Sequence, residues 1–352
     1  MNGQMVFAAE NLCKSLYRRQ HIFAGSKRIC HSPQPSLVSN CQAEKIFAGS
    51  KKVRTGSYMT VQPAWLNSEE IEMGRRFKWS ENKIKELQAE GRGKGSLASY
   101  LPWVQVSDFS SRGNSRRVFS NKTGRVHHLM SDVEWQFFLL LEFSPDITDI
   151  REQYPLPREE TLGIAAQLGI RHPTYPGTAV PTVMTCDFLA IRKKGSTNPV
   201  VEFYDCKRTQ EAEDRRSLEK LEISRTYCDG IESSHRLVFS SMLPSFKVRN
   251  LEWIYSAELK SGEAEPHTDY FANHCERLYH DLASFARTGS LAQYCDNYDA
   301  RVGAIPGTGL RAIRMLIRQH RVSTDLNQPD LAAAPVSMFR VDPGRRQSIG
   351  GA

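Results

Sequence analysis

A chain of 352 residues, 40% hydrophobic and 24% charged, suits two domains plus a tail and has the balance of a globular protein with a sizeable core. Its apolar runs fall short of the ~18 residues of a membrane span, and no apolar leader with a small-residue cleavage site opens it, so a cytoplasmic protein is expected. The net charge of +8 is unevenly spread: residues 1–60 carry nine Lys/Arg against Glu10 and Glu44, and residues 91–128 carry seven against Asp108 alone. A basic block inside a folded region fits a polyanion partner, nucleic acid first, although ordinary surfaces carry such blocks too. The eight cysteines form no C-x-x-C pair, which argues against a zinc ribbon or a thioredoxin-like motif and for reduced structural thiols.

Residues 1–58 are polar, lack sustained periodicity and repeat Ile22-Phe23-Ala24-Gly25-Ser26-Lys27 as Ile46-Phe47-Ala48-Gly49-Ser50-Lys51. Two copies cannot build a repeat architecture. The segment reads as a disordered basic tail or as codons ahead of a start at Met59, with a DNA-binding arm as the alternative. Residues 69–90 read as a charged helix, ended by Gly91-Arg92-Gly93-Lys94-Gly95. That run lacks the Gly-Lys-Ser/Thr ending of a phosphate-binding loop, and so does the stretch from Gly303 to Gly309. A helix begins after Ser131, with Val133, Phe137, Leu140 and Leu141 at helical spacing. Strands follow at 147–156, 183–191 and 200–207, then a helix at 218–227 and a short strand at 236–240. Mixed elements around one core make an α/β domain.

Beyond Met242 the pattern is helical. Thr308 is expected to cap an amphipathic helix over 309–321, with Arg311, Arg314, Arg318 and Arg321 along one face and Ile313, Leu316 and Ile317 on the other. Extended pieces at 322–326 and 336–341 could form a wing behind it, giving a winged-helix module. The expected organisation is a tail (1–58), an α/β domain (59–242), a mostly helical winged-helix domain (243–345) and a short tail (346–352).

The most informative chemistry is Asp187 followed by Asp205-Cys206-Lys207. Alternation along a strand turns Asp205 and Lys207 to one face and Cys206 to the other, and a neighbouring strand brings Asp187 beside them. Two carboxylates and an ammonium group at a sheet edge match the D…(D/E)-x-K nuclease signature. Carboxylates hold Mg²⁺, the metal lowers the pKa of a bound water, and a lysine neutralises charge developing on the phosphate. Taken alone, the same residues read more readily as a strand-end salt bridge. Glu134 is a third carboxylate. Ser131-x-x-Glu134 also fits a capping box, whereas its place on the apolar stripe with Phe137, Phe138 and Leu141 suits a residue facing a cation. His127 and His128 point to opposite sides of an extended segment and do not chelate one ion. Cys186 and Cys206 turn into the core.

The run Gly124-Arg125-Val126-His127-His128-Leu129-Met130-Ser131-Asp132-Val133-Glu134 resembles the TnsA family of transposon endonucleases. So do Asp149-Ile150-Arg151-Glu152-Gln153-Tyr154-Pro155-Leu156 and Leu218-Glu219-Lys220-Leu221-Glu222. The resemblance runs from about Glu90 to Tyr255 and is looser beyond. It implies a restriction-endonuclease-like catalytic domain followed by a winged-helix domain, in the 5′-cutting subunit of a cut-and-paste transposase. A TnsB-type transposase, a TnsC-type AAA+ ATPase and double-stranded transposon-end DNA are the implied partners. By the same likeness, Glu134, Asp187 and Asp205 are metal-site positions and Lys207 the catalytic lysine, with two Mg²⁺ ions that Mn²⁺ can replace. Asp205 departs from members that carry glutamine there, which leaves side-chain and backbone ligation both open. The expected DNA-backbone contacts are Arg92, Lys94, Arg112, Arg116, Arg117, Lys122 and Arg125, and the arginine face of the 309–321 helix is a second candidate path. A stand-alone restriction or junction-resolving nuclease and a catalytically silent DNA-binding adaptor are the alternatives.

Overall fold

A computed structural model describes residues 79–342, apart from 109–113, 194, 196–197, 261 and 285–287. The repeat-bearing segment 1–58, the start expected at Met59, Arg112 and the tail 346–352 lie outside the described residues. Helix α1 (Glu81–Ala89) starts where Ser80 Oγ accepts the Lys83 N–H at 3.1 Å. It ends at the expected glycines, and Gly93 needs to be glycine twice over. Its φ is +77°, and a Cβ there would lie 2.2 Å from the ring of Pro155. Strands β1 (Arg116–Ser120) and β2 (Arg125–Leu129) form an antiparallel hairpin absent from the predicted elements. Gly124, at φ +71°, marks its turn.

The helix after Ser131 is α2 (Asp132–Phe143), with Ser131 as N-cap. Its apolar residues bury Val133, Phe137, Phe138 and Leu141 against one face of a four-stranded sheet, ordered β3 (Ile147–Pro155), β4 (Thr185–Arg192), β5 (Val200–Lys207) and β6 (Ser234–Phe239). The first three strands are antiparallel, and β6 runs parallel to β5. A parallel neighbour requires a crossover, which helix α4 (Arg215–Gly230) supplies. Alternation divides the sheet cleanly. Phe188, Ala190, Tyr204 and Cys206 pack toward α2, while Leu189 and Phe203 pack toward Ala165 of α3 (Arg158–Leu168) and Ile223 of α4. The α/β architecture is therefore as expected, with α3 as an element that periodicity missed.

The C-terminal half is α5 (Ser245–Tyr255), α6 (Tyr270–Ser284), α7 (Leu291–Val302) and α8 (Thr308–Arg318), then a ribbon of β7 (Val322–Ser323) and β8 (Arg340–Val341). Thr308 does not cap α8. Gly307 occupies the N-cap position, and the Asp299 carboxylate accepts the Gly307 and Gly309 N–H groups at 2.8 and 2.7 Å. The Thr308 hydroxyl bonds instead to Tyr270.

The arginine stripe expected along 309–321 also differs: α8 stops at Arg318, and Arg321 lies beyond it. Every member is committed within the chain. Arg311 pairs with Glu263 and lies over Phe271, and Arg314 donates to the Trp253 carbonyl and lies over its ring. Arg318 bridges Glu142 and Glu258 over Tyr255, and Arg321 pairs with Glu276 over Tyr279. A continuous apolar core runs beneath them, from Phe138 of α2 to Leu282, Ile313 and Phe339. The stripe is an internal seam. Among its pairs, Arg318–Glu142 joins the two halves at 2.6 Å with the Glu142 side chain 1% exposed. Arg318→Ala strands that carboxylate, so it should destabilise the protein by about 3–5 kcal/mol in chemical denaturation. A loss below ~1 kcal/mol would place the pair among ordinary surface bridges.

Candidate active site

The strand ladder between β4 and β5 ends at the pair Phe188 and Tyr204. Beyond it the next two residues, Asp187 and Asp205, use side chains where backbone groups would otherwise meet. Asp205 Oδ1 accepts the Asp187 N–H at 3.2 Å, and Asp187 Oδ2 accepts the Cys206 N–H at 2.7 Å. Lys207 Nζ lies 3.3 Å from the same Asp187 oxygen. Asp187 and Lys207 thus meet as expected. Asp205 is placed differently, because its Oδ2 accepts from His235 Nε2 at 2.7 Å and both of its oxygens are engaged away from Lys207. Cys186 and Cys206 are core residues on opposite faces.

Glu134, at the first turn of α2, meets the capping reading only in half. Ser131 Oγ accepts the Glu134 N–H as an N-cap, but the Glu134 carboxylate takes the Ser131 hydroxyl on Oε1 and the Met130 N–H on Oε2, at 2.9 Å each, rather than the Ser131 N–H that a capping box would give it. The same carboxylate is buried close enough to Asp187 to feel its charge. Burial first, and then Asp187, push the Glu134 pKa up to about 8. Burial likewise raises Asp187, against the pull of Lys207. Burial would lower Lys207, but Asp187 and Asp205 outweigh it and hold the ammonium well above its ordinary range. Asp205 is opposite in sign: burial would raise it, but the His235 hydrogen bond and Lys207 bring it below the usual carboxylate value. Two carboxylates that repel each other beside a cationic lysine suit a divalent cation, which relieves the repulsion.

Gln153 was not anticipated. It lies opposite Asp187 in the register of β3 and β4, at φ +48°, a left-handed backbone that a glutamine rarely adopts. Its Nε2 reaches Glu134 Oε2 at 3.4 Å, and its Oε1 accepts from Thr185 Oγ1 at 3.3 Å. Such strain in a strand is often stored at working sites. No periodicity or composition signal marks it, because a single residue at positive φ leaves none.

Three of the expected DNA contacts are withdrawn by the geometry. Arg92 is tied to Asp108 and to the Trp103 carbonyl. Arg125 is buried against Glu152 at 2.6 Å and lies over Tyr100. Lys122, its pKa lowered to about 8 by burial, donates to the Leu141, Ser144 and Ile147 carbonyls and closes the end of α2. Arg116 is partly spent on Asp132 and Glu252. Lys94 and Arg117 are exposed, with no ion pair among the described residues. The two histidines divide as alternation requires. His127 is fully buried beside Glu152 and Thr123, and His128 accepts the Val106 N–H.

Residues 144–239 match the family model described as TnsA-like endonuclease N terminal, and residues 243–326 match TnsA endonuclease C terminal. The Transposon Tn7 transposition protein TnsA of Escherichia coli is 39% identical over 188 residues, which are 53% of this chain and 67% of that protein. The chain belongs to the TnsA family of transposition endonucleases. It is therefore a nuclease by family, and Asp187, Asp205 and Lys207 lie inside the first matched segment. Glu134 lies ahead of that segment and comes to the site through the packing of α2.

The raised Glu134 has a consequence for stability. An acid whose folded pKa exceeds its unfolded value favours the fold in its neutral form. That contribution is complete below its ordinary value, 4.5, and is lost as pH rises through about 8. Metal-free protein should lose thermal stability across this window, and Glu134→Gln should flatten the decline. Parallel melting-temperature profiles for the two proteins would remove Glu134 as its source.

Proposed function

We propose that this endonuclease hydrolyses a phosphodiester at the 5′ ends of a transposon, with Glu134 and Asp187 holding Mg²⁺ and Lys207 assisting. The observation that carries this reading is the convergence of the buried Glu134 carboxylate and the partly exposed Asp187 carboxylate with Lys207 Nζ, 3.3 Å from Asp187, at the fork between β4 and β5. The donor set is hard oxygen, which suits Mg²⁺, with Mn²⁺ able to replace it and a second ion accommodated when substrate oxygens complete the shell. When bound, the cation lowers the pKa of a coordinated water and offsets charge on the phosphate.

The chain's own residues do the rest. Asp205 holds the Asp187 backbone, so its role is positioning rather than direct side-chain ligation. Gln153 steadies the Glu134 oxygen that also accepts from Met130. Lys207 stays protonated beside the scissile phosphate and supplies a point charge there. Lys94 and Arg117 contact the DNA backbone, which positions without specifying sequence. Sequence choice at the ends then falls to a TnsB-type transposase, with a TnsC-type ATPase linking both to the target. The C-terminal helices and the ribbon of β7 and β8 serve as a winged-helix module that docks partners, because the arginines of α8 are turned inward.

Strand-specific assays on transposon-end DNA, with the partner transposase and ATPase present, test this. Asp187→Ala should abolish 5′-strand cleavage and leave 3′-strand joining intact, and full 5′ cutting by that variant would remove the site assignment. In DNA binding, Lys94→Ala and Arg117→Ala should each lower the slope of log affinity against log salt by roughly 0.9. An unchanged slope in the double variant would move the DNA path off this face.

A further inference from the structure

Behind the catalytic fork, on the α4 face of the sheet, lies a second cluster of a different chemistry. Cys186 of β4, Asp205 of β5 and His235 of β6 bring a thiol sulfur, a carboxylate oxygen and an imidazole nitrogen within 4.8 Å of one another. Cys186 is fully buried, and the Asp205 and His235 side chains are each 5% exposed. Cys228 of α4, also fully buried, packs in the same buried cluster as Cys186. Three potential ligands from three strands therefore converge in a buried pocket, with the Cys228 thiol of α4 in the cluster beside them. Nothing proposed for strand cleavage uses the two thiols or the imidazole as ligands.

We propose that Cys186, Asp205 and His235, with Cys228 as the fourth donor, form a closed structural site for a thiophilic tetrahedral cation, zinc. A sulfur, nitrogen and carboxylate set suits zinc and is poorly matched to Mg²⁺, which prefers oxygen and keeps its waters. Here the cation takes the place of the proton between His235 Nε2 and Asp205 Oδ2, and that proton moves to His235 Nδ1, which keeps the ligating imidazole neutral. The thiol protons of Cys186 and Cys228 leave to solvent, since thiolates are the ligands. Asp205 Oδ1 remains free to hold the Asp187 N–H. The site would thus cross-link β4, β5, α4 and β6 directly behind the residue that faces the substrate, fixing the fork without entering the chemistry.

The full chain, purified without chelator, should contain about one zinc per molecule by atomic emission, as expected of a closed structural site. Exchange with Co²⁺ should produce the thiolate-to-cobalt charge-transfer band. Cys186→Ser, Cys228→Ser and His235→Ala should each lose the zinc and weaken or abolish the band. Cys206→Ser, which alters a buried thiol on the opposite face of the sheet, should keep both. Wild-type protein with neither zinc nor a cobalt band would overturn the proposal whatever the variants do. So would retention of zinc by Cys186→Ser and His235→Ala. These readouts need no DNA cleavage, so failure of the cleavage assignment and failure of the zinc site are separately visible.

Discussion

The structure turns on the place where β4 and β5 part. Two backbone N–H groups there, of Asp187 and Cys206, lose their ladder partners, and unpaired buried donors are costly. Two aspartates supply the acceptors: Asp205 for the Asp187 N–H and Asp187 for the Cys206 N–H. That exchange aims the Asp187 carboxylate into the fork and sets it beside Lys207. It also buries negative charge, which is tolerable only because Lys207 and His235 answer it. The geometry of the site is therefore a consequence of satisfying the sheet's own hydrogen bonds.

Helix α2 carries the other half of the site and couples it to the rest of the molecule. Glu134 stands at its N-terminal turn, near Asp187, and Glu142 stands in its last turn, held by Ser120 and Arg318. Lys122 closes the last carbonyls. Since Arg318 belongs to α8, the position of α2, and with it of Glu134, depends on the C-terminal helices. Arg311, Arg314 and Arg318 of α8 and Arg321 just beyond it, each stacked on an aromatic ring and paired or hydrogen-bonded, line that seam. The C-terminal half is built into the catalytic half through one shared core.

Much of this was legible in the sequence. Strand alternation turned Cys206 into the core, the Ser131 cap located α2, and the Asp187 and Lys207 pairing followed from two-residue periodicity. The misses share a physical cause. Arg92, Lys122 and Arg125 looked like DNA contacts because composition counts charge but cannot see the carboxylates and carbonyls that distant segments bring to it. The α8 stripe misled in the same way, since Glu142, Glu258, Glu263 and Glu276 lie far from it in sequence. Alternation put Asp205 on the side of Lys207, but the splaying of the strands gave its oxygens to Asp187 and His235. Gln153 left no trace because backbone strain at one residue has no compositional signature. The capping box of Ser290 and Gln293 at α7 and the Gly124 turn, by contrast, were readable signals that went unused.

The central claim is that the cleavage cation sits between Glu134 and Asp187, with Asp205 behind it rather than in its shell. Anomalous diffraction from crystals grown with transposon-end DNA and Mn²⁺ tests that directly. The account predicts manganese density bridging the Glu134 and Asp187 carboxylates near Lys207. Manganese found only at the Asp205 and His235 cluster, or coordinated by the Asp205 side chain without Glu134, would contradict it.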